Sequence, residues 1–251
     1  MQASTLQQTI SVIIPVYREA HRINNVIGHV RRLDRMGRCQ VIVVDGDPSG
    51  ATRDAVEDRN VITLTSSRGR ARQMNAGASL AKSAILLFLH ADTYLPDNGI
   101  ELISATMKDR RYVGGAFGFR FDSTRMSLAL FAYLASMSAR ITRLPLGDHA
   151  IFVRKEYFAQ VGGYPDIPIM EDVELMRRIK KRGDRISVLK ERVTTSARRI
   201  EREGMVYCAI RSALLLSSYS LGISPARLKK YYPDGAVSRD WLGRLRQSGD
   251  G

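Results

Sequence analysis

The feature that most constrains the fold is a rhythm. From Thr9 to about Thr93, short β-branched apolar runs alternate with amphipathic segments. The first run, TISVIIPVY, is apolar on both faces, as a buried parallel strand requires. Behind it Ile23, Val26, Ile27, Val30 and Leu33 recur at helical spacing, and Gly37 is a stop signal. QVIVVDG reads as a second strand, then come a helix around Ala51 to Glu57, a strand at NVITLTS, a helix from about Gly69 to Ala81 and a strand at AILLFLHAD. Repeated β-α-β units with right-handed crossovers predict an α/β fold with a Rossmann-like, mostly parallel sheet and helices on both faces. Its ligand crevice lies beyond the carboxyl ends of the strands. Pro15 to Glu19, Asp45 to Asp47 and His90 to Asp92 each follow an apolar strand and are placed at that crevice.

After Asp92 the pattern becomes mixed: a helix near Asn98 to Lys108, a strand at GGAFGFRF, an apolar helix from about Thr124 to Ile141 and a strand at AIFVRK. A helix carrying Glu171, Asp172, Val173, Met176 and Ile179 closes at Gly183, before a strand at RISVLKERVTT and a long helix from roughly Arg202 to Tyr219. The expected organisation is one domain over residues 1–232, with a first half at about 9–95, a second half at about 96–232, and a frayed tail at 233–251.

Composition narrows the function classes. The 251 residues are 44% hydrophobic, enough for a core, and carry a formal charge of +14. The two cysteines, Cys39 and Cys208, lack CxxC spacing and read as small core residues of a reducing compartment. The segment MQASTLQQTISVII has no basic n-region, so a cytoplasmic location is expected. The longest charge-free runs, Met126 to Ala139 and Ser212 to Ala226, are 14 and 15 residues, short of a bilayer span. The positive charge suits nucleic acid, an anionic membrane or phosphorylated ligands, but the arginines are dispersed and no RNP, KH or zinc-finger signature is present, so no nucleic-acid partner is expected.

The chemistry-bearing residues cluster at the strand ends. Glu19 and Asp45 can accept hydrogen bonds from a base or a ribose, although an aspartate after a strand also suits a turn or cap. SSRGRARQMNAGA puts Arg68, Arg70 and Arg72 at a helix start, a pattern suited to a diphosphate. His90 and Asp92 share one side if the chain stays extended, and Asp92 with ligand oxygens is adequate for Mg²⁺. Of Glu171 and Asp172, about 100° apart on a helix, one faces the crevice while the other caps the helix or pairs with Arg177 or Arg178. Arg198, Arg199 and Arg202 can neutralise a leaving diphosphate if their segment folds over the crevice.

In this order, SVIIPVYREA, VIVVDGDPSGAT, RGRARQMNAGA, LFLHADT, GDHAIFVRKEYFAQVGGYPDIPIMEDVEL and TSARRIEREG resemble the family-2 glycosyltransferases over about residues 9 to 232. The HADT and PxMEDVEL segments look closest to a bacterial subgroup, the radical-SAM and selenodomain-associated transferase 2 proteins. The resemblance implies a GT-A fold, a nucleotide-diphosphate sugar donor, a divalent cation (Mg²⁺ or Mn²⁺) and inversion at the anomeric carbon. Pro15, Tyr17 and Glu19 then match the first nucleotide-binding strand end, Asp45 the base contact and Arg70 the diphosphate side. His90, Ala91 and Asp92 match the DxD motif, with Asp92 on the metal. Asp172, beside Glu171, matches the general base, and Arg198 or Arg199 the leaving-group arginine. His90 replaces the first DxD acid, and TSARRIEREG departs from the usual QxxRW.

The resemblance further implies a hydroxyl acceptor, on a sugar or on a lipid carrier. Arg120, Arg125, Arg140 and Arg143 flank the apolar helix at Met126 to Ala139, which suits a protein lying peripherally on the inner face of the cell membrane; a core or dimer helix accounts for it equally. Two rival functions stay open. A nucleotidyltransferase shares the nucleotide-binding half, though no GxGxR-type loop follows the first strand, and a non-catalytic sugar-nucleotide binder accommodates His90.

Overall fold

The computed structural model describes residues 10–232. Thr9 and the tail expected to fray after Pro233 lie outside the described residues. The predicted alternation is present: β1 (Ile10–Val16), α1 (Ala20–Leu33), β2 (Cys39–Asp45), α2 (Ala51–Asp54), β3 (Ile62–Thr65), α3 (Arg70–Leu80) and β4 (Ile85–Phe88). The second half adds β5 (Thr93–Tyr94), α4 (Gly99–Lys108), β6 (Tyr112–Phe121), α5 (Met126–Thr142), β7 (Phe152–Arg154), α6 (Lys155–Gln160), α7 (Glu171–Lys181), β8 (Arg185–Thr195), α8 (Arg198–Glu203), α9 (Met205–Ser220) and α10 (Pro225–Leu228).

Both halves share one eight-stranded sheet in the order β3-β2-β1-β4-β7-β6-β8-β5. The four strands of the first half are parallel, with Val16 beside Asp45 and Ile13 beside Phe88, so their carboxyl ends open on one edge. β7 pairs antiparallel with β4 and with β6, and β6 pairs parallel with β8, which carries the second half onto the same sheet.

The uninterrupted apolar runs are explained by burial on both faces. Ile10, Val12, Ile14 and Val16 point into a core with Ile23, Val26, Ile27, Val30 and Leu33 of α1 and with Ile100 and Ile103 of α4. Ile13, Ile42, Val44, Leu86 and Phe88 face Ala71, Met74 and Ala78 of α3 and Leu175, Met176 and Ile179 of α7. α3 sits very close to the sheet: a Cβ on Gly77 would lie 2.5 Å from Ile13 Cγ2.

Three boundaries differ from expectation. The helix at Ala51 ends at Asp54 rather than Glu57. β4 stops at Phe88, and the Thr93 N–H donates to the His90 carbonyl at 3.1 Å, so residues 90–93 form a turn and the extended alternation assumed for His90 and Asp92 does not hold. The long terminal helix is two helices, since α8 starts at Arg198 and Gly204, at φ 92°, separates it from α9.

Both cysteines are buried, as expected of core residues. Burial, with the neighbouring Asp34 carboxylate, pushes the Cys39 thiol up to about 12, and burial raises Cys208. At pH 8 only about one Cys39 in ten thousand is then a thiolate. Iodoacetamide is therefore expected to leave both cysteines of the native chain essentially unmodified while labelling both in urea, as read by intact mass; rapid stoichiometric labelling of the native chain would contradict this core assignment. Gly77→Ala is expected to lower stability by about 1–3 kcal/mol in urea denaturation, and an unchanged midpoint would contradict the close packing of α3 on β1.

Candidate active site

The carboxyl ends of β1 and β4 open into a cleft of about 1720 Å³. Pro15, Tyr17 and Glu19 line one part of it, and His90, Ala91 and Asp92 line the part beyond β4, as predicted. Arg68 joins them, its guanidinium 4.3 Å from the centre of the Tyr17 ring. The same cleft is lined by Asp148 and His149 from the turn after α5, Val173 and Glu174 from α7, and Arg198 and Arg199 from α8.

Asp45 departs from its expected role. It is fully buried, its Oδ1 accepts from the Asp47 N–H at 2.9 Å, and its Oδ2 accepts from the Thr52 and Arg53 N–H groups, each at 3.0 Å. A carboxylate holding three backbone donors at the start of α2 is a cap beneath the crevice, not a base contact on its wall.

The RARQMNAG stretch of α3 likewise does something other than expected. Arg70 Nε lies 2.9 Å from Glu171 Oε1 at the first turn of α7, and Arg72 Nε lies 2.7 Å from Asp166. Asn75 grips the Tyr164 backbone in both directions, donating to its carbonyl at 2.8 Å and accepting from its N–H at 3.0 Å. Gln73 donates Nε2 to the Val16 and Val44 carbonyls at 2.7 and 2.9 Å, tying the ends of β1 and β2 to the same helix. Arg70 and Arg72, expected on a diphosphate, are thus held by carboxylates of the 164–171 segment. Glu171 pairs with Arg70 rather than with Arg177 or Arg178, which lie near Glu174 at 3.9 and 3.6 Å.

Asp172 sits next to this joint, buried on the first turn of α7. Its Oδ2 accepts from the Gly147 N–H at 2.6 Å and its Oδ1 from the Val173 N–H at 2.8 Å. Each oxygen keeps a second lone pair. Gly147 also marks how near His90 is: a Cβ there would lie 3.1 Å from the His90 ring and 3.4 Å from Asp172 Oδ2. Gly147, His90 and Asp172 therefore form one layer, in which His90 lines the cleft and Asp172 lies buried behind the lining.

Electrostatics couple this layer. His90 Nδ1 lies 3.3 Å from Asp148 Oδ1. Burial alone would lower the imidazole, but the Asp148 hydrogen bond and charge, with Asp92 adding, raise it above its ordinary value. The exposed Asp148 carboxyl is held well below the usual carboxylate range by His90, Arg70 and Arg199. Burial raises the Glu171 carboxyl, Arg70 only partly offsets this, and Asp172 adds to the rise. Arg199 hydrogen-bonds the Tyr232 hydroxyl and stands in the field of Asp148 and Arg70. Arg198 is exposed at the cleft rim. His149 is buried with Nδ1 donating to the Phe117 carbonyl at 2.8 Å, and burial lowers its imidazole.

Asp148, Gln73 and Asn75 escaped the sequence reading. Asp148 lies 58 positions from its partner His90, and no spacing announces that pair. Asn75 and Gln73 had a usable signal, two polar side chains on the helix that follows the arginines.

The sequence model of glycosyl transferase family 2 matches residues 11–159, more than half of the chain. The chain belongs to this family. Among curated proteins none matches the sequence. Among solved structures, S. aureus TarS residues 1–349 superposes with a TM-score of 0.59 at 16% identity, over 89% of this chain and 69% of that one. TarS 1–349 in complex with UDP-GlcNAc gives 0.58 at 16% identity, over 75% of this chain and 58% of TarS. These likenesses carry the fold: the family-2 chain has the GT-A architecture, a mostly parallel first half continued by a mixed second half on one sheet.

For the cation expected of such an architecture, the donor set decides what fits. Asp92 lines the cleft, His90 is engaged by Asp148, and among the described residues no group of three His, Cys, Asp or Glu side chains is arranged to hold a metal ion. The site fits a hard cation held by one carboxylate and completed by ligand oxygens and water, not a cage made by the protein alone.

The joint between α3 and α7 is testable. Arg70→Met leaves Glu171 buried without its partner and is expected to lower stability by about 2 kcal/mol, the Arg70 side chain being partly exposed. Arg70→Met with Glu171→Leu should recover most of that loss in urea denaturation. Additive losses in the double variant would contradict the pairing.

Proposed function

We propose that this family-2 glycosyltransferase moves a sugar from a nucleotide-diphosphate donor to an acceptor hydroxyl with inversion, Asp172 being the general base. The observation that carries the reading is the layout of the site: Pro15, Tyr17 and Glu19 beyond β1 and His90, Ala91 and Asp92 beyond β4 line one cleft, and Asp172, on the first turn of α7 that Arg70 of α3 holds through Glu171, lies buried beside His90 at Gly147. TarS was solved with UDP-GlcNAc, which makes UDP-sugars the first donors to try; guanosine donors stand second. Pro15, Tyr17 and Glu19 hold the nucleoside. Resemblance of the HADT and PxMEDVEL segments supports placing the chain in the radical-SAM and selenodomain-associated transferase 2 subgroup.

In the reaction the acceptor O–H gives its proton to a free lone pair of Asp172 as its oxygen attacks the anomeric carbon. The bond from that carbon to the diphosphate oxygen breaks on the opposite face, and its electrons leave with the nucleoside diphosphate. A divalent cation on Asp92 would neutralise charge on the diphosphate. Arg199 and Arg198, which line the same cleft, meet the charge that grows on the leaving oxygen. Glu171 acts through Arg70 and is a positioning residue. Residues 1–232 act as a single catalytic domain, located in the cytoplasm.

Asp172→Asn should lower kcat by roughly 10²–10⁴-fold with donor affinity nearly unchanged, in a transfer assay run alongside calorimetric donor titration; full activity in this variant would remove Asp172 as the base. Asp92→Ala should weaken donor binding in the presence of Mn²⁺ and lose the difference between Mn²⁺ and chelator. A thermal-shift screen of UDP- and GDP-sugars should show one nucleotide series stabilising the protein. Donor binding with neither transfer nor hydrolysis would favour the non-catalytic sugar-nucleotide binder.

A further inference from the structure

α5 and α9 each bury one face and expose another that is equally apolar. On α5, Leu128, Ala132, Ser136 and Ala139 are buried, while Met126, Leu130, Leu134 and Ile141 are 57–83% exposed. On α9 and its cap, Cys208 and Leu215 are buried, while Val206, Ile210, Leu214 and Leu221 are 55–85% exposed. The two exposed sets share one spacing, steps of four, four and seven residues, which keeps each on a single helical stripe. Single exposed leucines need no explanation, but two parallel patterns on neighbouring elements mark a surface that something covers. Leu128 of α5 and Cys208 of α9 meet in one cluster with Ile200, and inner faces of both helices line the cleft.

The charge around these stripes selects the occupant. Residues 123–147 and 204–232 contain no Asp or Glu, and besides Arg211, which pairs with Glu203, they supply Arg125, Arg140, Arg143, Arg227, Lys229 and Lys230. Arg125, Arg143, Arg227 and Lys230 are exposed. A second copy would set these cations against their own counterparts across a twofold interface. Residues 233–251, with three arginines and three aspartates, carry no net charge to complement them. An anionic bilayer supplies both an apolar layer for the stripes and negative headgroups for the rim. No helix among the described residues is long and apolar enough to cross a membrane, so this contact lies on the surface.

We propose that the outer faces of α5 and α9 dock the protein on an anionic lipid surface, with the cleft opening beside the contact. The docking stands independently of the transfer chemistry. That the acceptor is then a lipid-linked hydroxyl delivered from that surface rests on the glycosyl-transfer reading above.

The test is flotation of the full chain with vesicles of phosphatidylcholine alone and of an equal mixture of phosphatidylcholine and phosphatidylglycerol, at low and physiological salt. The wild type should float with the mixed vesicles, and less so at higher salt. Leu130→Glu with Leu214→Glu should stay in the soluble layer. Replacing Arg125, Arg143 and Arg227 by Ala should weaken partitioning on the order of a hundredfold. Met36→Glu, exposed in the turn before β2 of the first half, should float like the wild type. Melting curves and donor titration should match the wild type in every variant, which separates lost docking from lost folding. No flotation of the wild type, or equal flotation of the glutamate variant, overturns the proposal. So does a dimer that the glutamate pair dissociates without any vesicle binding, which would make a second copy the occupant. Flotation only after removal of residues 233–251 overturns it as well, in favour of that segment. Failure of docking with transfer to a soluble acceptor intact would leave the catalytic reading standing.

Discussion

The site depends on α3 being held on both sides. Gly77 brings the helix against Ile13, and Gln73 reaches the last carbonyls of β1 and β2. From its other side Arg70, Arg72 and Asn75 hold Glu171, Asp166 and Tyr164. One helix thereby sets the distance between the strand ends and the first turn of α7. The Arg70–Glu171 pair is the most consequential of these contacts. Its carboxylate is almost fully buried, and loss of Arg70 would leave a desolvated group that the surroundings cannot satisfy.

The same arrangement sets the charge of the cleft. Glu171, Asp172, Asp148 and Asp92 lie in one charge cluster, with Arg70, Arg199 and His90 interleaved. Cations tied to carboxylates are already oriented, so they respond to charge that develops near them without first reorganising. The proposed reaction, with a hydroxyl nucleophile and a departing diphosphate, asks for such a cluster. The anionic carboxylate belongs on the acceptor side and the positive field on the side of the leaving group.

Much of the fold was legible in the sequence because its causes are local. β1, β2 and β4 are apolar on both faces, and α1 buries the five residues that its periodicity picks out. The positions of Tyr17, Glu19, His90 and Asp92 on the cleft follow from the rule that ligands meet the carboxyl ends of parallel strands. What was not legible involves partners distant in the chain. Arg70 looks like a phosphate ligand until α7 supplies Glu171, and Asp45 looks like a ligand contact until the α2 backbone closes on it. The Gly204 break was visible as a glycine, but the register of TSARRIEREG gave no reason to start the helix at Arg198. Asp148 gained significance only when the turn at Gly147–His149 brought it to His90.

The most direct test of the account is a crystal structure with an intact UDP-sugar, or with whichever nucleotide sugar stabilises the protein. The account predicts the diphosphate beside Asp92, with the sugar between that residue and α7. A free lone pair of Asp172 should lie within hydrogen-bond reach of where an acceptor hydroxyl attacks, on the face away from the diphosphate. A donor bound elsewhere, or one whose diphosphate lies on the same face of the sugar as Asp172, would contradict it.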